Sequence, residues 1–254
     1  MEENHEHKEA GTVTIKKSDL WKYSTFLLLA VVVIGFFVVS NNDTTTTTGD
    51  VAAGTQEPTA AKATVDDAAM QGNDDAPVTI IEFSDYQCPF CRKFWVETYP
   101  QIKSEYIETG KVKLVFRDFP LTSIHTMAQA SGEAAECVRE KGGDEAYFKM
   151  HDKMFSEQQI LDSGSVSGAV TKTAVYTNQD LKDWAKEIGY DISSCLDSGK
   201  YKSEVLKDTS AATAAGGQGT PFFVIMKSGE TEGTPLSGAY PFNSFQQVID
   251  GYLA

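Results

Sequence analysis

The 254-residue chain carries 36 acidic against 22 basic residues, a formal charge of -14, with 41% hydrophobic and 23% charged residues. That balance supplies an ordinary core and opposes binding to phosphate backbones, so no nucleic-acid partner is expected. Four cysteines are too few for a disulfide scaffold in this length, and an even count fits two pairs in an oxidising compartment.

Residues 1–19 are polar and mixed in charge, and read as a cytoplasmic tail. His5 and His7 sit close together there, but no further ligands converge nearby and no metal site is expected. From Leu20 to Val39 the only charge is Lys22, and Phe26 to Val39 is apolar apart from Gly35. This predicts a single transmembrane anchor over 20–40, with Trp21 and Tyr23 suited to the interface. Lys16, Lys17 and Lys22 precede it while Asp43 and Asp50 follow, which puts the N-terminus in the cytoplasm and the bulk outside the cell membrane. A cleavable signal peptide is the competing reading, since Val38-Val39-Ser40 offers small residues to a signal peptidase. Residues 41–69, with consecutive threonines from Thr44 to Thr48, read as a flexible tether.

The folded domain is expected over 70–254. A turn at Gly72 to Pro77 leads into the apolar run Val78 to Phe83, which suits a strand buried on both faces. Beyond it Cys91, Trp95, Thr98, Ile102 and Tyr106 recur at helical spacing, and Pro100 should kink or divide that helix. Val112, Leu114 and Phe116 alternate as a second strand over Lys111 to Asp118, completing a βαβ unit. A helical insertion follows at about 122–199. Its stripes are Ile124 to Val138, Tyr147 to Phe155, and Leu181 to Ile188, the last between an N-cap at Asp180 and a stop at Gly189. The Ser-, Thr- and Gly-rich stretch from Ser156 to Gln179 yields no assignment. A helical pattern from Lys200 ends at Gly216-Gly217, strands are predicted at Phe222 to Lys227 and near Thr234 to Ser237, and an amphipathic helix bearing Phe245, Val248, Ile249 and Tyr252 closes the chain. The order βαβ, helices, ββα is a thioredoxin-like α/β arrangement with an inserted helical domain.

Cys88-Pro89-Phe90-Cys91 lies where the first strand gives way to a helix. Unpaired amides and the helix dipole stabilise a thiolate at such a start, and residues three apart share a helical face, so the two sulfurs come within disulfide range. Pro89 suits the first helical position, where its missing N–H costs nothing. Cys88 is then the candidate nucleophile and Cys91 the resolving thiol, with the pair itself as the redox centre and no added cofactor. Half of a zinc site is the rival reading, but Cys137 and Cys195 do not form a second Cys-x-x-Cys. Those two cysteines are either a structural disulfide, which the predicted external location favours, or buried free thiols. Glu82 interrupts an apolar strand six positions before Cys88, and reads either as a buried acid serving the resolving thiol or as a strand-end carboxylate facing water. Asp85, Tyr86 and Gln87 read as the rim of the site or as solvated loop residues. His125 and His151 show no spacing that ties them to the cysteines. A trans peptide is the safer expectation at Thr220-Pro221.

The run Ala76 to Cys91, then Phe116-Arg117-Asp118-Phe119-Pro120-Leu121 with His125, then Gly219-Thr220-Pro221, resembles the DsbA-like thioredoxin-fold thiol–disulfide oxidoreductases over about residues 70–254. The resemblance implies Cys88 as nucleophile, Cys91 as resolving thiol and Glu82 as the family's buried acid. It also implies a cis Pro221 beside the disulfide, with the Thr220 backbone helping to hold an extended substrate, and Pro89 and Phe90 join the candidate substrate-binding residues. The strongest oxidants of the family carry histidine where Phe90 stands, so the direction of electron flow is open. The expected protein is a monomeric, membrane-tethered, extracytoplasmic enzyme. Its partners would be cysteine-containing protein substrates and a membrane protein that reoxidises the pair. A reductase or isomerase, a zinc-stabilised module and a peptide-binding chaperone are the alternatives.

Overall fold

The computed structural model describes residues 60–254. The predicted tail, His5, His7, the anchor at 20–40 and most of the tether lie outside them; among the described residues no helix is long and apolar enough to cross a membrane. A six-stranded sheet forms the centre, built from β1 (Ala61–Lys62), β2 (Ala69–Gln71), β3 (Val78–Ser84), β4 (Val112–Asp118), β5 (Phe222–Lys227) and β6 (Glu232–Ser237). The strands lie in the order β1-β6-β5-β3-β4-β2, and only β3 and β4 run parallel. Two of these strands lie where the sequence predicts none: β1 and the start of β2 fall inside the expected tether, 41–69. Their two or three residues show no alternation, and pairing with β6 and β4 is what makes them strands.

Every residue of β3 is buried, as expected of a strand covered on both faces. Its Ile81 and Phe83 join Val115, Val224 and Met226 under α6 (Lys202–Ala214). Val78 and Ile80 point the other way, into a larger core with α1 (Pro89–Glu97), α3 (Ala128–Ser163) and α7 (Phe242–Leu253). Phe94 of α1, Phe223 of β5 and Phe245 of α7 clamp that layer, with ring centroids 4.6 to 5.3 Å apart. The clamp fixes α1, and with it the cysteine pair, against the sheet.

Pro100 divides the helix after β3 as expected: α1 stops at Glu97, α2 (Tyr99–Ile102) restarts it, and one π-helical turn (Lys103–Ile107) finishes it. From Ala128 on, the first two of the insertion's three stripes belong to one long element, α3, broken at Gly143, whose φ of 68° and ψ of -165° only glycine adopts readily. α3 also takes in Ser156 to Ser163, part of the unassigned stretch. α4 (Asn178–Glu187) is capped by Thr177, with Asp180 at the third helical position returning the bond, so the capping residue lies three positions before the one expected. α5 (Ser193–Asp197) carries Cys195, which is disulfide-bonded to Cys137 of α3 with Cα atoms 5.9 Å apart. The bond joins residues 58 apart and pins the short α5 to the long helix.

Candidate active site

β3 ends at Ser84, and the chain turns tightly into α1, with the Cys88 amide donating to the Asp85 carbonyl at 3.0 Å. Cys88 is the N-cap of α1 in an extended conformation, and Pro89 opens the helix. Both cysteines are free thiols, Cys88 only 3% exposed and Cys91 fully buried one turn on. Their environments pull them apart. A hydrogen bond from the Cys91 thiol brings the Cys88 thiol down to about 6 against the opposing effect of burial, and the Cys91 amide adds to this. Burial pushes the Cys91 thiol well up, and hydrogen bonding to Cys88 works the same way. Of the two sulfurs, Cys88 is therefore the one that ionises more readily.

The Thr220–Pro221 peptide is cis, in keeping with the resemblance and contrary to the bond's own statistical preference for trans. The Cys88 thiol donates to the Thr220 carbonyl at 3.5 Å, so this loop lies directly against Cys88 Sγ. Phe90 is 61% exposed and borders a groove of about 390 Å³, with Lys93, Thr220, Gly238, Tyr240 and Pro241 around it. A larger cleft of about 760 Å³, lined by Trp95, Tyr99, Val166 and Ile188, has no cysteine in its wall.

Glu82 does not face water. It is 1% exposed, with Phe116 and Phe223 as its register partners on the neighbouring strands, so it looks into the core that also holds Cys91. Burial pushes its carboxyl up to about 7, with the charge of His151 working the other way. From its ordinary 4.5 to about 7 the folded chain therefore keeps a proton that the unfolded chain has lost. Stability must fall as pH rises through that window, by up to about 1.4 kcal/mol per pH unit. Glu82→Gln is expected to flatten this slope and to gain over the parent between pH 5 and pH 8 in urea unfolding. An unchanged pH profile in the variant would show that Glu82 is not the proton holder.

Asp85, Tyr86 and Gln87, open between rim and solvated loop in the sequence, are all buried. Gln87 links the site to the insertion: its Nε2 donates to the Ala174 carbonyl at 3.0 Å, and its Oε1 accepts from the Met127 amide at 2.8 Å. Asp85 Oδ1 accepts from the Gln87 amide at 2.7 Å, while Oδ2 takes the Leu121 amide at 2.8 Å and lies 2.7 Å from His125 Nδ1. His125, placed nowhere near the cysteines by sequence spacing, thus belongs to their surroundings. Arg92, next to Cys91, is shielded from solvent and holds Asp162 Oδ2 at 2.6 Å and the Gln158 and Lys172 carbonyls, tying the loop after α3 to α1. Away from the site Asp66, Asp67 and Glu204 converge at the surface, but the Lys207 ammonium, 2.7 Å from Asp66, already supplies their cation.

A thioredoxin fold with a Cys-x-x-Cys at a helix start, opposite a cis-proline loop, defines a thioredoxin-like dithiol protein. The thioredoxin family model matches residues 64–249, and the chain belongs to that family. It is DsbA-like in its similarities. A probable disulfide bond formation protein D of Bacillus anthracis is 30% identical over 154 residues, spanning 59% of this chain and 65% of the relative. A Na(+)/H(+) antiporter NhaA 3 of Salinispora tropica is 28% identical over 159 residues, which cover 61% of this chain and 21% of the antiporter. Among solved structures, oxidised BdbD from Bacillus subtilis superposes with a TM-score of 0.64 at 23% identity, covering 78% of this chain and 98% of that one. The chain thus spans less than two thirds of the length of these two curated relatives, and the structural likeness speaks for the fold.

Proposed function

We propose that this chain is a membrane-anchored, extracytoplasmic protein thiol–disulfide oxidoreductase that forms disulfides in secreted or surface proteins. The observation that carries the reading is the dithiol at the start of α1, with Cys88 at the N-cap against the cis Thr220–Pro221 loop and Cys91 fully buried one turn on, which brings Cys88 down and pushes Cys91 well up. The bond between Cys137 and Cys195 suits an oxidising compartment, and the charge asymmetry about residues 20–40 supports an outside location. The Bacillus anthracis relative is named for disulfide bond formation.

In the oxidised form a substrate thiolate attacks Cys88 Sγ, the Cys88–Cys91 bond breaks, and Cys91 leaves with the electron pair. In this reading Glu82, buried toward the same core and holding a proton near neutral pH, protonates it. A second substrate thiolate then attacks the substrate sulfur of the mixed disulfide, and Cys88 departs as a stable thiolate. The substrate has lost two electrons, the cysteine pair has gained them, and a membrane partner must remove them. Thr220 and the groove beside Phe90 receive the substrate segment.

The reductase reading draws on Phe90, which offers neither charge nor hydrogen bond to the thiolate. Equilibration of the pair against glutathione separates the two. A potential near about -120 mV is expected for the oxidase, and one near about -270 mV would overturn it in favour of a reductase.

A further inference from the structure

Phe90 leaves unexplained how a buried thiolate is held at Cys88 beside a carboxylate. Asp85 lies three residues before Cys88 and is 1% exposed; its own amide donates to Cys91 Sγ at 3.4 Å. A negative charge there opposes ionisation of both cysteines. The chain meets this from another element. The segment after β4 returns over the site, the Phe119 amide donating to the Ser84 carbonyl at 2.7 Å and the Leu121 amide to Asp85 Oδ2, which brings His125 Nδ1 to 2.7 Å from the same oxygen. The imidazole is 5% exposed, and its amide is fixed by the Leu121 carbonyl at 2.9 Å.

We propose that His125 is a positioning residue of the dithiol site: as an imidazolium bonded to Asp85 it cancels the carboxylate's charge, so that its protonation governs how readily Cys88 stands as thiolate. The cation that the sequence lacks at position 90 is thereby supplied from the loop after β4, acting through Asp85. The remaining charged or titratable groups around Asp85 and Cys88 are Cys91 and Arg92 on α1, Asp118 at the end of β4, and Tyr176 in the segment before α4. Of these only Arg92 is positive, and its guanidinium is bonded to Asp162 and not to Asp85. His125 is itself shifted upward, first by its bond to Asp85 and further by the Cys88 charge, against the effect of burial. The coupling has a direction: loss of the His125 proton as pH rises leaves Asp85 uncompensated and raises the cost of the thiolate.

The inference rests on Cys88 being the thiolate of the proposed function, but its tests are spectroscopic and need no turnover. Coupling of two charges is reciprocal. In the full chain in detergent, the His125 imidazole, followed by nitrogen-15 NMR and identified by its loss in His125→Gln, should titrate at higher pH in the dithiol form than in the disulfide form. The thiolate absorbance of Cys88 at 240 nm should shift up by about one pH unit in His125→Gln, roughly a tenfold loss of thiolate at a fixed pH below the midpoint. Asp85→Asn placed on top of it should return the midpoint to that of the parent or below. Identical His125 titration in the two redox forms would overturn the proposal without any variant. A double variant that stays with the single one would overturn it too, since it would reduce His125 to a structural role. A protein with the coupling intact but no disulfide transfer would refute the activity and not the coupling.

Discussion

Cys88→Ser should bring disulfide transfer to a reduced, unfolded protein down to the uncatalysed background while leaving the fold intact. The reason is in the chemistry of the intermediate: substrate sulfur is held through Cys88 Sγ, and a serine oxygen forms no such bond. The fold should survive because the Cys88 side chain offers hydrogen bonds to Thr220 and Cys91 that a serine can also make, whereas α1 is held by the Phe94, Phe223 and Phe245 rings. Cys91→Ser should behave differently. It leaves the low thiol of Cys88 without a resolving partner, so once Cys88 is activated as a mixed disulfide the substrate remains attached and appears as a covalent band on a non-reducing gel. Cys91→Ala, which leaves no side-chain donor there, also removes the hydrogen bond that brings Cys88 down, so the remaining thiol should titrate above about 6. Full transfer by Cys88→Ser would end the mechanism, and trapped adducts in Cys88→Ser would place the exchange at a different sulfur.

The parts of this site that could be read in the sequence are those fixed by local spacing. Cys88 and Cys91 share a helical face because they are three apart, and Pro89 marks the helix start, so the dithiol follows from a few residues. Glu82 was ambiguous because alternation tells which face of β3 a residue takes and not what covers that face; here both faces are covered, and the carboxyl is buried. His125 was illegible for a different reason. It lies 40 positions from Asp85, and what joins them is the path of the chain after β4, which no periodicity encodes. The same holds for β1 and β2, whose few residues become strands only when β6 and β4 offer edges to pair with. Asp180 shows the smaller kind of miss: a capping box places an acceptor at both ends, and the sequence does not say which of Thr177 and Asp180 stands outside the helix.

The largest loss of stability is expected from Arg117→Met. Arg117 is 1% exposed at the end of β4, with its guanidinium 5.6 Å over the Phe83 ring. Its Nε and Nη2 both reach Asp208 Oδ1 of α6, at 2.8 and 2.5 Å, and its Nη1 donates to the Thr64 carbonyl at 2.9 Å, so one side chain joins strand, helix and N-terminal segment. Asp208 sits in an acidic neighbourhood, where burial and then the Asp208 charge push Asp118 well up and burial brings Glu136 up to about 7. Methionine preserves the volume and removes the one cation bonded to Asp208 among the described residues, leaving it the Asp118 amide at 3.1 Å. Breaking a buried pair from one side costs about 3–5 kcal/mol, a large share of the roughly 5–15 kcal/mol of an ordinary domain. The loss should shrink as pH falls, because the stranded Asp208 then takes up a proton, and Asp208→Leu added to Arg117→Met should recover most of it. Urea unfolding at pH 5 and pH 8 checks both statements, and a single variant within about 1 kcal/mol of the parent at pH 8 would refute the account. The consequence reaches the dithiol, since Arg117 anchors the strand end from which Phe119, Leu121 and His125 fold back over Asp85. A loosened β4 should therefore raise the Cys88 midpoint before the domain unfolds, joining the stability of the sheet to the reactivity of the sulfur it supports.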